Sequence, residues 1–276
     1  MSAVSFRFGV SELRLVAHRR RNQAGLAALA LVPLIIAFAV KVADPSASAG
    51  GGEGPAFLGS ITSNGFFVPL AALAVEIQFL LPVAVAMVAG DAVAGEASQG
   101  TLRYLLTVPV HRTRLLAVKY TGIVAGTAVA VLTVAVSGLL AGWALFGAGP
   151  VTLLSGTEAG LAEALVRLLA MCGYLTVCLS ALGAIGLFVS TLTEQPMGAV
   201  IALTMLTVLS WLLGAVSQLD WLHPYLLTNW WNAFGDLMRD PVAWDPLRSG
   251  LVSAAVYIVI FTTAAWARFG SRDITS

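Results

Sequence analysis

An all-α membrane protein with six transmembrane helices is the fold class this sequence predicts, and three observations carry it. Hydrophobic residues fill 58% of the 276 positions and charged residues 11%, with a mean hydropathy of +0.89. Soluble domains carry about 25% charged residues, so an ordinary water-soluble domain is excluded. Six apolar segments are long enough for a hydrocarbon core, which takes about 20 residues of helix. The lysines and arginines gather at the boundaries of those segments. One transmembrane domain over residues 1–276 is therefore expected.

The chain opens on a charged stretch. Phe6, Val10, Leu13 and Val16/Ala17 recur at helical spacing, opposite Arg7, Ser11, Arg14, His18 and Arg21. This predicts a basic amphipathic helix over residues 4–22, lying in the inner interface with its arginines near anionic headgroups. It serves either as a topology anchor or as a connecting element. The first span follows near Ala24–Val42; its apolar run exceeds the ~7–15 residues of a signal core, which predicts an uncleaved span. Residues 44–65, rich in Gly, Ser, Ala and Pro, read as a flexible outer loop. The remaining spans fall near Phe66–Ala89, Leu115–Phe146, Leu161–Val189, Pro196–Val216 and Gly250–Ala267. Between the last two, residues 217–248 hold Trp221, Trp230, Trp231 and Trp244, a density typical of a membrane interface.

Charge placement predicts the orientation. The tail before the first span, the loop at 90–119 and the C-terminal tail carry 11 of the 15 Lys and Arg residues, leaving Lys41, Arg167, Arg239 and Arg248 for the other side. Positive charge marks the inner side, so both termini are expected inside. The basic residues form no single binding surface, which argues against nucleic acid. Cys172 and Cys178 are six apart on one helix, point to different faces and read as inert packing residues. The excess of Arg over Lys, with abundant Ala and Val, suggests a bacterium with a GC-rich genome.

The polar island between the second and third spans is the most informative stretch. It contains Glu96, Gln99, Gly100, Thr101, Leu102, Arg103, Leu105, Leu106, Pro109, Arg112, Leu115, Leu116 and Lys119. If Asp91 caps a helix there, Glu96, Gln99 and Arg103 share one face and Leu102 and Leu105 the other, until Pro109 stops it. The spacing alone admits both an ordinary loop and a surface helix offered to a soluble partner. The pattern E-x-x-x-G-T-L-x-x-L-L-x-x-P-x-x-R-x-x-L-L-x-x-K resembles the segment after the second membrane helix of ATP-binding-cassette permeases of the second type. Every fixed position is filled, although the match covers under a tenth of the chain.

The resemblance implies a membrane-spanning permease subunit of an ATP-driven exporter. Such a subunit moves a drug, antibiotic, lipid-like or other small molecule out across the bacterial plasma membrane. It implies a second permease copy, identical or related, and a separate cytoplasmic ATPase subunit that binds ATP and Mg. The segment 91–112 becomes a coupling segment, with Glu96, Gly100, Thr101, Leu102, Arg103, Leu106, Pro109 and Arg112 facing the ATPase. The basic segment 4–22 becomes a connecting helix, and 217–248 an outer re-entrant segment. Helices two and five line the central cavity in relatives, which points to Glu76, Gln78, Phe79, Thr204, Thr207 and Trp211.

Other chemistry lacks its residues. A phosphate-binding loop needs a Gly-Lys pair before Ser or Thr, yet Lys41 and Lys119 each follow a valine. No H-E-x-x-H pair is present, and His18 and His111 are expected inside while His223 is outside. Glu163 and Arg167, four apart, are expected to pair along their helix. The chain itself is thus read as a non-enzyme without metal or cofactor. Two other readings remain: a secondary transporter using Glu76 as its mid-span carboxylate, and a non-transporting assembly subunit.

Overall fold

In a computed structural model, residues 20–42, 64–95, 112–149, 151–153 and 155–271 are described. The chain is predominantly helical. Its long helices are α1 (Arg20–Val42), α4 (Arg112–Phe146), α5 (Leu161–Leu192), α6 (Pro196–Gly214) and α7 (Trp244–Ser271). These five are long and apolar enough to cross a membrane. Two shorter helices, α2 (Phe67–Glu76) and α3 (Leu80–Asp91), pass the same test together but meet at a 59° bend.

Pro82 accounts for that bend. It has no N–H to donate to the Gln78 carbonyl, and its ring crowds the same carbonyl, which favours a kink or break at 78–82, although α1 runs through Pro33 unbroken. The segment expected as one span at Phe66–Ala89 is broken at Ile77–Phe79. Pro69 lies in the first turn of α2, where a missing N–H is tolerated.

Helix α5 is the centre of the bundle. Of its most apolar window 72% is buried, against 17% for both α1 and α7. It packs against α7, α4, α3 and α6, while α1 and α2 lean on α4. Outward-facing Leu31, Ile35 and Phe38 on α1, and Met197, Ile201 and Met205 on α6, stay exposed. Such apolar outer faces suit helices whose backbone groups are satisfied internally and whose surroundings are lipid. Hydroxyls inside the helices bond back one turn, as Thr127 Oγ1 does to the Ile123 carbonyl and Thr207 Oγ1 to the Leu203 carbonyl.

The helices share two ends. At one, Lys41 Nζ donates to the Leu145 carbonyl (3.0 Å), Asn64 Nδ2 donates to the Gly149 carbonyl (2.9 Å), and Phe66 N–H donates to Asn64 Oδ1 (2.9 Å). At the other, Gly90 packs beside Pro196 and Val200, and Trp266 Nε1 donates to Thr113 Oγ1 (3.3 Å). The pair α2–α3 thus starts beside the C-terminal end of α4 and finishes beside the N-terminal end of α6.

Several sequence expectations shift. Strands β1 (Val151–Thr152) and β2 (Glu158–Ala159) form a small antiparallel hairpin before α5, so the described residues are not wholly α. Helix α7 begins at Trp244, six residues ahead of the expected Gly250, with Asp245 in its first turn complementing the helix dipole. Residues 244–248 accordingly belong to α7. Residues 217–243 between α6 and α7 carry three short 3-10 turns, at Ser217–Leu219, His223–Tyr225 and Trp231–Met238. Cys172 and Cys178 are buried free thiols.

Candidate functional site

Glu76 is the last residue of α2 and is fully buried. Neither of its carboxyl oxygens has a hydrogen-bond partner among the described residues. Gln78 and Phe79, in the break that follows, are exposed. On α6, Thr207 is buried and Thr204 half-buried; Thr204 Oγ1 bonds to the Val200 carbonyl (2.9 Å) of its own helix. Trp211 meets Trp231 edge to face, with ring centroids 6.2 Å apart at 79°, and its buried indole N–H has no partner among the described residues. The structure therefore draws Trp211 toward the segment between α6 and α7. It packs α6 against α3 and α5.

Two apolar cavities lie elsewhere. One, about 270 Å³, sits between α1, α3 and α4 and is lined by Gly25, Leu29, Val88, Gly126 and Ala130. The other, about 390 Å³, lies between α4, α5 and α7, beside Tyr120, Thr262 and Trp266. None of the six residues expected to line a translocation route borders either of them.

Of the expected coupling residues, Glu96, Gly100, Thr101, Leu102, Arg103, Leu106 and Pro109 lie outside the described residues. Arg112 is the first residue of α4. The basic segment 4–22 lies outside the described residues up to its last three positions, where α1 begins.

Sequence reasoning missed Ser190, which fixes the approach to that segment. Its Oγ accepts from the N–H groups of Val93 (3.1 Å) and Ala94 (2.9 Å) and donates to the Gly90 carbonyl (2.9 Å). The side chain is fully buried. One hydroxyl on the central helix thereby ties down the end of α3, five residues before Gly95 gives way to Glu96. Its only sequence signal was a hydroxyl placed at the end of an apolar run.

The Trp-bearing segment is held with similar care. Arg167 pairs with Glu163 as expected, its Nη2 lying 2.7 Å from Glu163 Oε1. Its Nη1 also donates to the carbonyls of Leu237 (2.7 Å) and Arg239 (2.9 Å), a role its spacing did not announce. Tyr174 donates to the Trp230 carbonyl and Tyr257 to the Tyr225 carbonyl, both at 2.7 Å. Trp231, Phe234 and Met238 are buried beneath. The segment is a packed cap on α5 and α7.

A family model described as a protein of unknown function, DUF2705, matches residues 57–275. The match takes in the bent pair and every later helix. No curated protein matches the chain.

Proposed function

The chain belongs to the DUF2705 family, whose function is unknown, and we propose, on its sequence pattern, that it is the membrane permease subunit of an ATP-driven exporter. The observation that carries this reading is the pattern from Glu96 to Lys119, filled at every fixed position. The bent pair counts in this reading as one broken span, giving six spans. Its placement between opposite ends of the bundle supports that count. Both termini then lie inside, in the plasma membrane of a bacterium.

In this reading a separate ATPase subunit docks on residues 91–112 through Glu96, Gly100, Thr101, Leu102, Arg103, Leu106, Pro109 and Arg112. ATP and Mg bind to that subunit, and a second permease copy completes the membrane half. Nucleotide binding shifts the pair between two states because its affinity for them differs. The Ser190 clamp supports the proposal physically: a push on the coupling segment reaches α5 through three hydrogen bonds. Small molecules leave by a route past the exposed Gln78 and Phe79.

The test is isolation of the tagged chain from its native membrane. A soluble P-loop ATPase in equal number should accompany it, and hydrolysis should be absent from the chain alone. A chain isolated alone that moves solutes down an ion gradient without ATP would overturn the proposal. It would favour an ion-driven transporter, a second reading favoured by the buried Glu76, whose carboxyl has no hydrogen-bond partner among the described residues.

A further inference from the structure

Glu76 sits at the depth where a carboxyl group is hardest to keep. Gly65 marks the near end of α2 against Gly142. Eleven residues on, at 1.5 Å per residue, Glu76 lies roughly 16 Å along the span, near the middle of a ~30 Å hydrocarbon core. Its side chain has no exposed surface and no hydrogen-bond partner among the described residues.

Among the described residues, charge is remote on the helices that pack against α2. Helix α4 has no titratable side chain from Thr121 to Phe146. Helix α1 has Lys41 at its far end, engaged with the Leu145 carbonyl, and Arg20 and Arg21 at the other. Helix α3, beyond the break, has only Asp91 at its distant end. The carbonyls that close α2 add partial negative charge beside Glu76, which favours a positive occupant. An ionised carboxylate here would have no cation beside it among the described residues.

We infer that Glu76 is a proton-binding site built into the bent span. The carboxyl carries its proton while the break is closed, and yields it when motion at Ile77–Phe79 admits water. The occupant must be small, because Glu76 has no accessible surface and borders neither apolar cavity. A proton meets that condition and a hydrated alkali ion does not. Gln78 and Phe79 are already exposed, so the break brings surface within two or three residues of the carboxyl. This inference does not rest on the ATPase reading and can fail separately from it.

The test treats the full chain in lipid nanodiscs with dicyclohexylcarbodiimide, followed by peptide mass spectrometry. The reagent enters through lipid and adds to a protonated carboxyl. The acid proton moves to one carbodiimide nitrogen as the carboxyl oxygen bonds to the central carbon. The acyl group then migrates to nitrogen, and no atom is lost. Label is expected at Glu76 and absent from E76Q, together with an infrared band of a protonated carboxyl that E76Q lacks. If E76Q folds poorly, E76D, which keeps the carboxyl, should retain both signals. Absence of label and band from the well-folded natural chain would overturn the inference. So would protection of Glu76 by sodium or lithium at constant pH, which would place an alkali cation there instead.

Discussion

Gly65 and Gly142 occupy each other's side-chain space. A Cβ on either would fall well inside van der Waals contact with the other's carbonyl. One turn along α4, a Cβ on Gly138 would lie 2.7 Å from Pro69 Cα. The pair Gly138 and Gly142 forms a small-x-x-x-small stripe, which lets backbones approach closely where lipid gives no hydrophobic drive between helices.

Gly142→Ala should therefore destabilise the bundle, since overpacking with rigid backbone opposite costs about 1–3 kcal/mol or more. Gly173→Ala is the control: it is exposed on α5, a Cβ there meets nothing within 4 Å, and alanine favours the helix by roughly 0.5–1 kcal/mol. Thermal unfolding in detergent should rank Gly142→Ala below the natural chain and Gly173→Ala at or above it. Equal melting of all three would refute the close approach.

Loss of the Ser190 hydroxyl should loosen the end of α3. Ser190→Ala leaves the buried amides of Val93 and Ala94 without their acceptor, a loss of about 1–3 kcal/mol for a buried donor. Hydrogen exchange at residues 93–95 should quicken while α5 stays protected. Unchanged exchange there would show that the clamp does not hold α3.

Much of the membrane layout was legible in the sequence, because apolar length alone marks α1, α4, α5 and α6. The break at Ile77–Phe79 was legible in Pro82, but hydropathy averages over it and returns one span. The start of α7 was signalled by Asp245 and Pro246. Arg248 and the surrounding tryptophans lowered the apolar signal enough to shift the expected start to Gly250. Ser190 and Arg167 were not legible in their full roles. Their partners lie 96 to 100 and 70 to 72 positions away, and no local pattern encodes a contact made only by folding.

Arg167 should prove essential to the cap over α5. Arg167→Met keeps much of the stem but removes the fork that joins Glu163 to the carbonyls of Leu237 and Arg239. Hydrogen bonds to charged groups contribute about 1.5–3 kcal/mol each. Limited proteolysis of the variant should cut within 217–243 faster than in the natural chain. Glu163→Gln, which leaves both carbonyl bonds in place, should have a smaller effect. Equal cutting rates would show that the cap is held by Tyr174, Tyr257 and its buried aromatics alone.

The coupling reading makes its own demand on residues 96–109. Glu96→Ala and Gly100→Pro should lower ATP-dependent export while membrane insertion and yield stay normal. Gly100→Pro should be the more severe, because proline inside a helix costs about 3 kcal/mol or more. Export at the natural rate by both variants would reduce the segment to a simple loop.

The two ends of α5 offer the sharpest check of orientation. Ser155 precedes its start and Gln195 follows its end, and both are exposed. The helix between them has 32 residues, about 48 Å at 1.5 Å per residue, which is more than a hydrocarbon core of ~30 Å. The two positions must therefore face opposite compartments if α5 crosses the membrane. Cys172 and Cys178 are buried and can be replaced by alanine to give a clean background. With eleven of fifteen basic residues expected inside, a cysteine at Ser155 should react with an impermeant maleimide in sealed cells. One at Gln195 should react only after permeabilisation. The reverse pattern would put residues 91–112 outside and end the ATPase reading, while labelling of both in sealed cells would show that α5 does not span.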